Sequence, residues 1–144
     1  MSYIPLISSG TAGPLGVLHL PRLWLKASLV ATGKDHSDYP ICNGYDTMVL
    51  NGLGIDKDEF LNFISEKTPT YPQLEAWILE KSGGALDAAA VKKLNASITG
   101  YHHDESLRKD ILGANGITDD GSLPDAINLN NLDDWLTFHR EVLS

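Results

Sequence analysis

Cysteine is almost missing from this sequence, with Cys42 the only one in 144 residues. A lone thiol closes no internal disulfide and has no CxxC partner for a thiolate metal site, so the fold must rest on its core, as expected in a reducing compartment. Basic residues are also scarce, 11 Lys and Arg against 19 Asp and Glu, which leaves a net charge of −8. The field of so acidic a chain repels phosphate backbones, and its densest basic groups, Lys92-Lys93 and Arg108-Lys109, are isolated pairs rather than a stripe. Neither nucleic acid nor an anionic membrane surface is an expected partner. Long apolar runs are lacking too: none approaches the roughly 20 residues of a spanning helix. Met1 to Gly10 shows no basic stretch followed by an apolar block, so it does not read as a secretory signal, and the cytoplasm is the expected location.

Several chemical signatures are excluded by spacing. The runs Gly13-Pro14-Leu15-Gly16 and Gly52-Leu53-Gly54 match neither the dinucleotide fingerprint nor the phosphate-binding loop of nucleotide hydrolases. Aligning Gly121 of the Asp119-Asp120-Gly121 turn with the invariant glycine of a calcium loop puts Gly116 at the first ligand position and Ile127 at the twelfth, so no EF-hand is present. The five histidines, His19, His36, His102, His103 and His139, form no H-E-x-x-H, and the adjacent pair His102-His103 points two ways on any regular element. No metal and no cofactor is expected.

What the chain does have is helical periodicity with strong punctuation. Residues 1–20 hold Pro5, Gly10, Gly13, Pro14 and Gly16 and read as an irregular N-terminal arm. From Pro21 the spacing of Leu23, Trp24, Ala27, Val30 and Ala31 predicts a helix that stops at Gly33. A second begins after Asn43, with Asp46 in its positive first turn. Asp56 with Glu59, and Thr70 with Gln73, have capping-box spacing ahead of two more. Asp87 and Asp104 cap a fifth and sixth, ended by Gly100 and by Asn115-Gly116. The polar stretch from Thr118 to Asn131 reads as a loop, and a last helix from about Asn131 carries Leu132, Trp135, Leu136, His139, Val142 and Leu143 on one face. Trp24, Trp77 and Trp135 each fall on an apolar stripe and are expected to anchor the core. The class is all-α: a single helical domain over residues 1–144, of about seven short helices, with no sustained period-two alternation for a sheet.

One local inversion of sign stands out in this acidic chain. At His19-Leu20-Pro21-Arg22, with Lys26 one turn on, a histidine and two cations meet the start of the first predicted helix, where free N–H groups and the helix dipole favour an anion. Tyr39, Cys42 and Asp46 follow within the next loop and helix start. The expected function is a binding or accessory module that recognises a small anionic ligand or a protein partner, with His19, Arg22, Lys26, Tyr39, Cys42 and Asp46 as candidate binding residues. The alternative is an enzyme in which His19 is the general acid or base while Arg22 and Lys26 hold a carboxylate or phosphate. A third arrangement sets Arg22 and Lys26 against the surplus carboxylates as ordinary ion pairs.

The run from Leu15 through His19-Leu20-Pro21-Arg22 to Lys26-Ala27 resembles the H-L-P-R-x-x-x-K-A block of DUF5069, a bacterial family of unknown function, and Gly54-Ile55-Asp56 with Phe60 is similar to a second block of it. The likeness covers roughly residues 14 to 67 and beyond them only the helical layout. It implies no activity, cofactor or catalytic residue.

Overall fold

Acidic residues start most of the helices. Asp56, Asp87, Asp104 and Asp125 each accept a hydrogen bond from a backbone N–H of the first turn that follows, at 3.1, 3.0, 2.8 and 3.0 Å. Thr70 and Gln73 close a reciprocal capping box, the Gln73 side chain accepting from the Thr70 N–H at 2.9 Å and the Thr70 hydroxyl from the Gln73 N–H at 3.4 Å. Each cap satisfies a donor that the helix leaves unpaired and is worth about 1 kcal/mol. The computed structural model describes all of residues 1–144. Its elements run α1 (Leu20–Ala31), α2 (Tyr45–Leu53), α3 (Lys57–Lys67), α4 (Tyr71–Lys81), α5 (Ala88–Thr99), α6 (Glu105–Ala114) and α7 (Ala126–Phe138), which continues into a π-helical turn at His139–Leu143. No strand forms; the arm and the loop after α1 make only the isolated bridges Tyr3–Asp35 and Ala12–Leu18. No helix is long and apolar enough to cross a membrane.

The main core gathers the inner faces of α1 to α5, with Leu20, Leu23, Val49, Phe60, Ile64, Leu74, Ile78, Leu94 and Ile98 among its buried side chains. A smaller cluster of Ile111, Leu112 and Leu129 lies under α6 and α7. α1 packs on α2, α3 and α4, while α2 packs on α5. Gly52 is what lets that last pair approach, because a Cβ there would stand 2.7 Å from Leu94 Cδ1. The glycine therefore sits inside α2 and does not end it; Gly54, in the left-handed conformation at φ 68°, does.

Three expectations fail in this frame. α7 begins at Ala126, five residues before Asn131, because Asp125 caps it and Asn128 helps close the cap. α2 is preceded by Gly44 with no side-chain cap, so Asn43 does not cap it. The last helix buries only part of its apparent stripe: Leu132 packs on the smaller core cluster and Leu136 is half-buried. Ala126, Leu129 and Asp134 are buried, whereas Trp135 is 61% exposed and His139, Val142 and Leu143 lie outside. Asp134 is drawn inward by a buried partner, and neighbouring positions on a helix lie about 100° apart, so Trp135 is turned to solvent. The other tryptophans pack: Trp24 donates its indole N–H to the Pro69 carbonyl at 2.9 Å, and Trp77 stacks on Phe63 with ring centroids 4.5 Å apart.

Candidate functional site

The two helices without a side-chain cap, α1 and α2, are the two that build the site. His19 precedes α1 and Cys42 precedes α2 by two turn residues, and both hold left-handed backbone at φ 68°. For residues with a Cβ this conformation costs about 1–3 kcal/mol and persists only where the surroundings impose it. What imposes it is Asp46. His19 Nε2 reaches Asp46 Oδ1 at 2.6 Å, the Cys42 N–H donates to Asp46 Oδ2 at 2.9 Å, and Lys26 Nζ donates to the same oxygen at 2.8 Å. Asp46 is fully buried in the first turn of α2, where the dipole also favours its charge.

The protonation states follow from the partners. A carboxylate only accepts, so the hydrogen of the imidazole belongs on Nε2, which leaves Nδ1 to accept from the Ser9 hydroxyl at 2.9 Å. Burial drives the imidazole pKa down by more than the Asp46 hydrogen bond and charge raise it, so His19 is neutral. Burial also raises the Asp46 carboxyl, but the His19 hydrogen bond and the Lys26 charge outweigh it and hold the group below the ordinary carboxylate range. The result is a Ser9–His19–Asp46–Lys26 chain with one net ion pair. A histidine with its folded pKa below the unfolded value leaves the unfolded state to bind the proton first, so this residue makes the fold less stable as pH falls through the usual histidine range. The ring of His19 is therefore expected to protonate only below the ordinary histidine value, with its Nε2–H tautomer retained at neutral pH, in a proton–nitrogen NMR series. A ring that protonates near 6.5, the ordinary value, would mean that solvent reaches it.

Arg22 is spoken for within the protein. Its guanidinium makes a two-point contact with Asp134 of α7, Nη1 to Oδ2 at 2.6 Å and Nη2 to Oδ1 at 3.0 Å, while Nη1 also reaches the carbonyls of Pro5 and Ile7 at 2.7 and 2.9 Å. Leu20, Pro21 and Arg22 are all buried at the start of α1, and Pro21 has no N–H to offer. The start of α1 thus presents neither an open fork nor exposed amides to an anion. In a chain with 19 carboxylates the buried cations take their partners from the protein itself, Arg22 from Asp134 and Lys26 from Asp46.

Of the candidate residues, His19, Arg22, Lys26, Tyr39 and Asp46 line one cleft of about 350 Å³; Cys42 does not, and contributes its backbone N–H to Asp46 instead. Burial and the Asp46 charge push the Cys42 thiol up, so it is not an activated nucleophile. The far wall of the cleft adds Tyr45, Tyr101, His103, Asn130, Asp133 and Asp134. Sequence reasoning passed over these because Tyr45 reads as part of the apolar face of α2 and the others come from beyond α5. Only the placement of Asp134 eight residues after Ala126, on the buried face of α7, could have marked it. No group of three or more His, Cys, Asp or Glu side chains is gathered to hold a metal ion.

No family model, no curated protein and no solved structure matches this chain.

Proposed function

We propose that this protein is a binding module that takes a small polar ligand into the cleft bounded by His19, Lys26, Tyr39 and Asp46, and carries out no chemistry on it. The observation that carries the reading is the meeting of two left-handed, non-glycine residues, His19 and Cys42, on one buried carboxylate at the cleft wall. Backbone strain of this kind collects where a fold holds side chains in place for a task. The cleft is of the size that small-molecule sites have, and its walls are mostly polar, with the rings of Tyr39, Tyr45 and Tyr101 among them.

The enzyme reading has one observation in its favour, the hydrogen-bonded order Ser9–His19–Asp46. Against it, Ser9 is 1% exposed and is not part of the cleft lining, and both ring nitrogens of His19 are already bonded to the protein. A general base with no free nitrogen and a hydroxyl with no access have nothing to act on.

The test is a thermal-shift screen of small anions, cations and neutral polar metabolites. A ligand present at about 100 times its dissociation constant raises stability by about 2.7 kcal/mol if it binds only the folded chain. Tyr101→Ala changes a half-exposed ring on the cleft rim, so it should remove the ligand-induced shift while moving the unliganded midpoint little. If no compound in the screen shifts the parent, or if Tyr101→Ala keeps every shift, the cleft is not the site. Turnover of a bound compound that Ser9→Ala abolishes would favour the enzyme instead.

A further inference from the structure

Three Asn-Gly pairs occur in the chain, Asn43-Gly44, Asn51-Gly52 and Asn115-Gly116. Such a pair carries its own reaction, attack of the glycine backbone nitrogen on the asparagine side-chain carbonyl, with no side chain on the glycine to hinder the approach. The fold decides which pair is free to react. The asparagine side chain must swing onto the next amide, and that amide must give up its N–H.

Two of the pairs are held. Asn51 and Gly52 lie inside α2, where helical backbone fixes the angle between side chain and next amide and the Gly52 N–H belongs to the helix ladder. Asn115 is tied on both sides of the bond: its Nδ2 donates to the Ile111 carbonyl at 2.9 Å, and the Gly116 N–H donates to the Gly113 carbonyl at 3.1 Å. The first pair is different. Asn43 and Gly44 are exposed, and neither the Asn43 side chain nor the Gly44 N–H has a hydrogen-bond partner. A Cβ built on Gly44 would meet nothing within 4 Å, so the amide is open to approach. The glycine is also required where it stands, since φ 55° and ψ −123° is backbone that a residue with a side chain rarely adopts.

We propose that Asn43 is a site of spontaneous modification, converted through a succinimide to aspartate or isoaspartate. The Gly44 nitrogen forms a bond to Asn43 Cγ, and the side-chain amide leaves as ammonia with the proton that the Gly44 nitrogen gives up. Water then opens the five-membered ring at one carbonyl or the other. No oxidant, cofactor or second protein is consumed, and the reaction does not depend on what the cleft binds.

The product puts a carboxylate at the lip of the cleft. Asn43 lines it with Asp38, Asp46, Asp133 and Asp134, so the lining gains another acid with no cation to match it, Arg22 and Lys26 being taken by Asp134 and Asp46. The fold tolerates the charge, because α2 has no side-chain cap and its dipole favours an anion near the first turn. In the isoaspartate form the backbone runs through the former side chain and is one methylene longer. That extra length falls between the Cys42 N–H, which Asp46 holds at 2.9 Å, and the Asp46 N–H, which the Asn43 carbonyl accepts at 3.1 Å. The cleft of an aged molecule is therefore more acidic than that of a new one, and its wall is less firmly held.

The experiment is an ageing series on the intact chain in warm, mildly alkaline buffer, followed by peptide mass spectrometry. Each conversion adds about 1 Da. No lysine or arginine interrupts residues 35–56, so Asn43 and Asn51 share one tryptic peptide and fragment ions assign the site. In the folded chain Asn43 should convert at least about tenfold faster than Asn51 and Asn115, and in denaturing urea the three rates should converge. Asn43→Gln, whose longer side chain would have to close a six-membered ring, should remove the mass gain at this position and leave the urea midpoint unchanged. Amide signals of Cys42 and Asp46 should move in the aged protein, and those of α6 should not. An Asn43 that keeps its amide in the folded chain overturns the inference. Conversion of Asn51 or Asn115 at the same rate in the folded chain overturns it as well, because the fold then selects nothing.

Discussion

Arg22→Ala is expected to destabilise the fold by about 3–5 kcal/mol, the cost of leaving one member of a buried ion pair alone. Arg22 and Asp134 are both nearly fully buried, and their two-point contact is the only cationic partner that Asp134 has. The alanine variant strands that carboxylate and also removes the guanidinium from the carbonyls of Pro5 and Ile7, which loosens that part of the N-terminal arm. Urea unfolding at neutral pH measures the loss as a lower midpoint at unchanged slope. The double variant Arg22→Met with Asp134→Leu should recover most of it, because apolar side chains of similar size remove the need for pairing. A single-variant loss under about 1 kcal/mol would mean that the pair is wet and screened.

Asp46→Ala should cost a comparable amount, about 3–5 kcal/mol, for a different reason. One carboxylate there answers three donors, the His19 Nε2–H, the Lys26 ammonium and the Cys42 N–H. With it gone, Lys26 keeps a charge in a place where its side chain is only 10% exposed, and the anchor that the His19 ring and the Cys42 N–H share is lost. Asp46→Asn should fall between parent and alanine, since an amide oxygen still accepts but carries no charge for Lys26. The same unfolding series measures both, and the NMR signature of His19 distinguishes the causes: loss of the single Nε2–H tautomer in Asp46→Ala marks a collapsed network, whereas its survival would show that Ser9 alone fixes the ring.

Helix positions were legible because the sequence states them locally. Asp56, Thr70, Asp87 and Asp104 are caps in the structure as in the pattern, and each needs only a neighbour two or three residues on. The start of α7 escaped because Ala126 to Asn131 is rich in asparagine, which favours turns in isolation and is helical here through the Asp125 cap and the packing of Leu129. The outward turn of Trp135 escaped for a longer-range reason. Hydrophobic periodicity assigns an aspartate to solvent, but Arg22 needs an anion, and that requirement decides which face of α7 goes in. At the site, the coincidence of His19, Arg22, Lys26 and Asp46 was visible as an odd concentration of charge, while Ser9 and Asp134, which bond to His19 and Arg22, and Tyr101 on the cleft wall were not, since the fold alone brings them near.

The arm, α1 and α7 meet through a contact that spans 112 residues of sequence, and this sets a timetable for synthesis. A ribosome adds about 5–20 residues per second, so roughly 6 to 22 s separate the emergence of Arg22 from that of Asp134. Throughout that interval α1 to α5 can assemble their shared core and hold the arm, Leu15 N–H on Glu75 and Leu18 N–H on Asn95, but Arg22 has no carboxylate to meet. The growing chain therefore carries a guanidinium without its carboxylate until its last helix is made, and the final closure is a slow, long-loop event of the kind that high contact order imposes. A stall or cleavage before Asp134 leaves a protein in which α1 to α5 can pack but Arg22, bonded to the Pro5 and Ile7 carbonyls, is a buried cation with no anion.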